Sequence, residues 1–260
     1  PMKPSTLLVL ILAAVAVALT ATWLVLNRSG GSGAPVLTSE DLPPFTRIAI
    51  DGAATLVLVQ GTAEHIAVES APRSGNVGAR VGDDGTLVIT ADDHRRWWRS
   101  LVSGPARAPT VTLTFRTLQS LRASGAVKVV AERLTVPRLG VALNGAGNLR
   151  IDAIDADELT VSGAGAIKAE IAGRVGTQRI AMSGAGVYRA PELRSQDASV
   201  AVSGAGKAVV NASRTLKVDI SGAGSVEYLG DPKVTEQVSG AGKIRRRDAT
   251  AEMPLQVAAG

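Results

Sequence analysis

The sequence predicts an all-β fold, a single-domain parallel β-helix or solenoid with coils of ~18–21 residues, preceded by an N-terminal hydrophobic helix. Three observations lead there. The tetrapeptide Ser-Gly-Ala-Gly occurs five times, starting at Ser162, Ser183, Ser203, Ser221 and Ser239. Asn144-Gly-Ala-Gly is a close copy and Ser124-Gly-Ala-Val a more distant one, and from position 124 the intervals are 20, 18, 21, 20, 18 and 18 residues. A fixed period of this size marks a solenoid, in which each repeat stacks on the one before. Around the tetrapeptide, apolar residues recur two apart, the period of a strand with one buried face. Finally, the chain holds 28 Gly, no Cys and 3% aromatic residues, which suits a thin interior of Val, Ile, Leu and Ala.

Taken in order, the chain opens with a targeting segment at residues 1–26. Thr6 to Leu26 is a run of 21 uncharged, mainly apolar residues after Lys3, long enough to cross a bilayer as a helix. Two readings compete. A cleaved signal peptide would use Ala16-Val17-Ala18 or Leu19-Thr20-Ala21 as its site. An uncleaved signal anchor accounts for the full run, because Trp23-Leu24-Val25-Leu26 continues past both sites. Lys3 directs the N-terminus to the cytoplasm, with Arg28 weakening the asymmetry. The domain is therefore expected in the cell envelope: in the periplasm on an inner-membrane anchor, or secreted if the segment is cleaved. Residues 27–44 read as a linker, flexible through Ser29-Gly30-Gly31-Ser32-Gly33 and stiffer at Pro43-Pro44. The folded domain is expected at residues 45–248 and a tail at 249–260.

Within the domain, three apolar columns describe the coil. One place before the Ser or Asn stand Ala123, Leu143, Val161, Met182, Val202, Ile220 and Val238. Three places before it stand Leu121, Val141, Leu159, Ile180, Val200 and Val218, with Glu236 breaking the column. Five places after it stand Val129, Leu149, Ile167, Tyr188, Ala208, Val226 and Ile244. Each coil thus reads as strand, Gly-Ala-Gly corner, strand and polar return. The same frame fits Ile48, Ile50, Asp51-Gly52-Ala53 and Leu56, an early coil. The corner glycines are Gly145 and Gly147, Gly163 and Gly165, Gly184 and Gly186, Gly204 and Gly206, Gly222 and Gly224, and Gly240 and Gly242. Glycine takes positive φ at little steric cost, which a sharp corner demands. The Ala between each pair is expected to tuck inward. The Ser hydroxyls are expected to form a ladder, each bonded to its own turn, although such a ladder also offers a repetitive binding surface.

One segment breaks the pattern. Asp92 to Pro109 contains Arg95, Arg96, Trp97, Trp98 and Arg99. Paired Trp beside Arg either grips a sugar, lipid headgroup or protein, or caps the open end of the stack. Arg245-Arg246-Arg247 reads as a solvated terminal cluster. Without Lys3 there are 27 basic and 23 acidic residues. This modest excess is scattered in the sequence, so nucleic acid is not an expected partner.

Motifs for chemistry are sparse. Gly204-Ala-Gly-Lys207 and Gly240-Ala-Gly-Lys243 lack the spacing of a phosphate loop and the Ser or Thr that binds magnesium. Two His and no Cys disfavour a zinc site. The densest acidic group, Asp152, Asp155, Asp157 and Glu158, fits a polar return loop more simply than a glycosidase pair. No cofactor is expected and no catalytic or metal residue is assigned.

The Asp51-Gly-Ala-Ala-Thr-Leu-Val-Leu-Val-Gln-Gly opening, Gly85-Thr-Leu-Val-Ile, Leu118-Gln-Ser-Leu-Arg-Ala-Ser-Gly and the serial Ser-Gly-Ala-Gly coils together resemble the bacterial "putative auto-transporter adhesin, head GIN domain" family, a family of unknown function. The resemblance spans Phe45 to Asp248. It implies a right-handed parallel β-helix outside the cytoplasm, the hand that parallel crossovers favour, and it brings no catalytic residues. Three functions stay open: a non-catalytic domain that binds an envelope polymer or protein, a polysaccharide-acting enzyme on the same scaffold, and a membrane-anchored periplasmic sensor or scaffold.

Overall fold

A computed structural model describes residues 36–70, 76–92 and 108–247. Thr6–Leu26, the Arg95–Arg99 cluster with Trp97 and Trp98, and the tail at 249–260 lie outside the described residues. Those described are all β. The strands are β1 (Val36–Asp41), β2 (Arg47–Gln60), β3 (His65–Ser70), β4 (Asn76–Val81), β5 (Thr86–Asp92), β6 (Thr110–Phe115), β7 (Ser120–Thr135), β8 (Arg138–Gly204), β9 (Lys207–Gly222), β10 (Ser225–Leu229), β11 (Lys233–Gly240) and β12 (Lys243–Arg246). They build one open sheet.

From β2 onward every pairing along the repeats is parallel, and its register follows the tetrapeptides. Gly52 pairs with Gly125, Gly125 with Gly145, Gly204 with Gly222 and Gly222 with Gly240. The early frame at Ile48 and Gly52 is therefore in step with the later repeats: Ile48 sits beside Leu121 and Leu56 beside Val129. The 67 residues of β8 run on without a break through several rungs. Two breaks of register, between Arg189 and Arg194 and between Ser195 and Asp197, absorb differences in repeat length.

The start of the domain departs from a purely parallel stack. β1 pairs antiparallel with β3, β3 with β6, and β4 with β5. β5 lies parallel to β2 before its Gly52 corner, and β6 lies parallel to it after the corner. For β4 and β5 the physical cause is turn chemistry. Between β4 and β5 stands Gly82-Asp-Asp-Gly85, where the Gly82 amide donates to the Thr86 carbonyl (2.9 Å) and the Gly85 amide to the Gly82 carbonyl (3.0 Å). A tight turn of this kind returns the chain antiparallel. The linker expected at 27–44 also needs correction, since residues 36–41 form β1. His65 ties that strand down, with Nδ1 2.9 Å from Asp41 Oδ1 and Nε2 2.8 Å from Ser39 Oγ.

The three expected columns are buried with few exceptions. Val238 is 44% exposed and Ile244 only partly covered, because β11 and β12 carry the last described rung. The return segments are not simply polar. Ile151, Ile154 and Ala156 point inward from one, Val175 from the next, then Leu193 and Ala198, then Ala212 and Leu216. These inward residues add a further apolar wall to the buried core. Gln178 is polar, yet it lies fully buried inside that wall. Its Nε2 donates to Ser195 Oγ (2.7 Å) and to the Asn211 carbonyl (3.1 Å), and its Oε1 accepts from the Tyr188 hydroxyl (3.2 Å). The broken register beside Ser195 leaves backbone groups off the ladder, and this network satisfies them.

Candidate functional site

The corners generate both the stacking and the exposed face beside it. Gly52, Gly125, Gly145, Gly165, Gly184, Gly204, Gly222 and Gly240 all have φ between +100° and +120°. In each step a carbonyl of one corner points at the Cα of the next. A Cβ on Gly204 would lie 2.6 Å from the Gly184 oxygen, and one on Gly222 2.8 Å from the Gly204 oxygen. Those same oxygens accept from the following amides: Ala205 N to Gly184 O and Ala223 N to Gly204 O, both 3.0 Å. The ladder of glycines is thus the geometric condition for continuous pairing through the corner.

The corner alanines do not tuck inward. Ala146, Ala185, Ala205, Ala223 and Ala241 are exposed. The inward position belongs to the second glycine. A Cβ on Gly206 would meet Val202 Cγ1 at 3.1 Å, and one on Gly242 would meet Ile220 Cγ2 at 2.6 Å. Leu143, Met182, Val202 and Ile220 already fill that space from two residues before the first glycine, so nothing larger than hydrogen fits opposite.

The copy at Ser162 runs two residues out of step. Its second glycine, Gly165, takes the ladder position against Gly145, while Gly163 faces inward. Ile167 then stands where other rungs place Gly147 or Gly186. A Cβ on Gly147 would lie 3.1 Å from Ile167 Cδ1, and one on Gly163 3.0 Å from Ile167 Cγ1. Large and small have exchanged places across the corner, and the enclosed volume is kept.

Outside the strand that enters each corner lies an open groove of about 430 Å³. Its floor is made of short side chains: Asn144, Ser162, Ala164, Ala181, Ser183, Ala201, Ser203 and Ser221, with Asp219 at one end. Arg179 and Lys217, two residues upstream of Ala181 and Asp219 on the same face, are long and exposed. The serines do not all bond their own turns. Ser162 Oγ donates to the Val141 carbonyl of the preceding rung (3.3 Å). Among the described residues, the hydroxyls of Ser183, Ser203 and Ser221 make no hydrogen bond within the protein. Because the groove-facing positions alternate with the buried columns, a strand repeat of period two presents all of them on one face.

Three of the four acidic residues at 152–158 are matched by arginines. Asp152 pairs with Arg150 (2.7 Å), Asp155 with Arg174 (2.9 Å), and Glu158 with Arg179. Asp197 accepts from Arg214 and Thr215, and these bonds hold its carboxyl pKa down at about 2. Among the described residues no group of three or more His, Cys, Asp or Glu is placed to hold a metal ion, and no helix is long and apolar enough to cross a membrane.

Solved structures share this fold. A "putative adhesin" from Bacteroides fragilis aligns with TM-score 0.73 at 20% identity, covering 83% of this chain and 98% of that one. A "putative adhesin" from Parabacteroides merdae aligns with TM-score 0.64 at 18% identity, covering 84% and 98%. A "putative lipid binding protein" from Parabacteroides distasonis aligns with TM-score 0.63 at 20% identity, covering 85% and 100%. No curated protein matches the chain. The family profile described as "Putative auto-transporter adhesin, head GIN domain" matches residues 44–232, which spans the glycine ladder from Gly52 to Gly222, and the chain belongs to that family.

Proposed function

We propose that the β domain is a non-catalytic recognition module of the cell envelope, a right-handed parallel β-helix whose serine face holds an extended envelope polymer or protein segment. The observation that carries this reading is the set of hydroxyls on Ser183, Ser203 and Ser221. They lie on neighbouring rungs, face an open groove and have no partner within the described residues. Hydroxyls stacked at the strand spacing of about 4.8 Å present one donor and acceptor per rung to a chain laid along the stack. Membership of an adhesin-named family supports binding over turnover. The right hand is the one that parallel crossovers adopt. Changing Ser183, Ser203 and Ser221 together to Gln fills the groove at exposed positions, so the melting temperature should hold. Capture of envelope material by this variant should be lost. Undiminished capture would move the site elsewhere.

Thr6–Leu26 holds the domain at the inner membrane on this reading, with the domain in the periplasm; the length and apolarity of the run support it. The protein should then fractionate with membranes, and protease added to spheroplasts should digest the domain. A soluble product with its N-terminus near Ala18 or Ala21 would replace the anchor with a cleaved signal.

A further inference from the structure

The basic residues that look scattered along the sequence are collected by the register. Three residues after each ladder glycine from Gly125 to Gly240 stand Lys128, Asn148, Lys168, Val187, Lys207, Ser225 and Lys243. Five residues after it stand Val130, Arg150, Glu170, Arg189, Val209, Glu227 and Arg245. The pairing stacks these positions directly: Lys128 on Asn148, Val130 on Arg150, Val187 on Lys207, Arg189 on Val209, Ser225 on Lys207 and on Lys243. Lys168 and Glu170 fall between, since Gly165 sits on the ladder between Gly145 and Gly184.

Side chains two apart share a face, so the two columns form one strip on the exit side of the corner. Over the first five of these rungs it offers one cation per rung, alternating between columns: Lys128, Arg150, Lys168, Arg189, Lys207. The next rung breaks the run with Ser225 and Glu227, and Lys243 and Arg245 follow. Seven cations against two acids, Glu170 and Glu227, leave five positive charges on the two columns, and Glu132 and Asp152 at the border reduce the excess to three. Lys168 is paired with Glu170 (3.0 Å), Lys207 with Glu227 (2.6 Å) and Arg150 with Asp152 (2.7 Å). Lys128 and Arg189 form no ion pair among the described residues.

We propose that this strip binds a linear polyanion lying along the stack, with its charges meeting about one cation every 4.8 Å from Lys128 to Lys207. A row of like charges on a rigid sheet raises the local potential, and a flexible linear polymer relieves it without needing a pocket. The proposal rests on the reading of the domain as an envelope-binding module. It uses a different face from the serine groove, so the two fail separately.

The test measures binding of the full chain to long-chain inorganic polyphosphate and to polygalacturonate, over a range of salt. Binding to either, weakening as salt rises, is expected, and the preferred polymer tells phosphate from carboxylate. Replacing Lys128, Lys168 and Lys207 together by Gln should weaken it about a hundredfold, roughly fivefold per charge. Glu170→Gln frees Lys168 and should tighten it severalfold. The Ser183, Ser203 and Ser221 triple variant should keep this binding whatever becomes of its capture of envelope material. The proposal is overturned if the native chain binds neither polymer, or if the lysine variant binds both as the native chain does. Binding to phosphatidylglycerol vesicles but to neither polymer overturns it as well, and assigns the strip to a membrane surface.

Discussion

Gly204→Ala should lower stability by about 4 kcal/mol, while Gly78→Ala should leave it unchanged or slightly improved and Gly85→Ala should fall between. The three positions separate two causes. A Cβ on Gly78 would meet open space, and the φ of this residue is not positive, so alanine there only removes unfolded-state freedom. Gly85 has φ +72° and open space, so alanine meets backbone strain alone, of the order of 1–2 kcal/mol. Gly204 has φ +118° and would set a Cβ 2.6 Å from the Gly184 oxygen. That oxygen accepts from Ala205 N. The new methyl must push the carbonyl aside, which weakens the hydrogen bond that joins two rungs at the corner. Thermal unfolding of the three variants checks the order, at roughly 2–4 °C per kcal/mol for a domain of this size. Equal melting points for Gly204→Ala and Gly85→Ala would mean that the corner relaxes, and that the ladder owes its glycines to conformation and not to contact.

This ladder was legible in the sequence for a simple reason. Gly-Ala-Gly recurs at a fixed interval, and a repeat can only put like on like. The flanking columns were legible because Val, Ile and Leu two apart allow one buried face, and the frame extended back to Gly52 on that pattern alone. The start of the domain was harder. Asp84-Gly85 between two β-rich runs is a hairpin signal, and it marks the antiparallel β4 and β5. It was hidden by the expectation that one period governs the whole chain. β1 gave still less warning, because a short strand beside Pro43-Pro44 is fixed by contacts of Asp41 and Ser39 with a distant His65.

The functional faces depend on information that composition does not carry. The serines are visible in the sequence, yet whether each hydroxyl bonds its own turn depends on corner geometry. Ser162, in the copy that runs out of step, reaches back to a carbonyl of the preceding rung. The cationic strip was invisible for a different reason. Lys128, Arg150, Lys168, Arg189 and Lys207 are separated by about twenty residues each, and alternate between two columns. No window along the chain shows them as a cluster, and only the register converts their spacing into adjacency.

The exchange at Gly163 and Ile167 should show the largest coupling of any pair in the domain. Ile167→Gly alone removes a buried side chain that covers both Gly147 and Gly163, and should cost about 3–5 kcal/mol through the lost transfer energy and the cavity left behind. Gly163→Leu alone drives a side chain into Ile167, where even a Cβ would lie 3.0 Å from Cγ1; overpacking of this kind costs about 1–3 kcal/mol. The double variant Gly163→Leu with Ile167→Gly rebuilds the arrangement of its neighbours, Leu143 opposite Gly147 below and Met182 opposite Gly186 above. Its loss should therefore be smaller than that of Ile167→Gly by itself, a favourable interaction energy of more than about 2 kcal/mol in the cycle. Denaturant unfolding of the four proteins gives that number directly. Losses that simply add would mean that the two positions do not share one space, and that the corner interior is not filled by one side chain per rung. A recovery in the double variant would show that the tetrapeptide is free to slip by two residues wherever the large residue moves to the other side, which is how a repeat of 18 to 21 residues keeps its ladder of glycines in line.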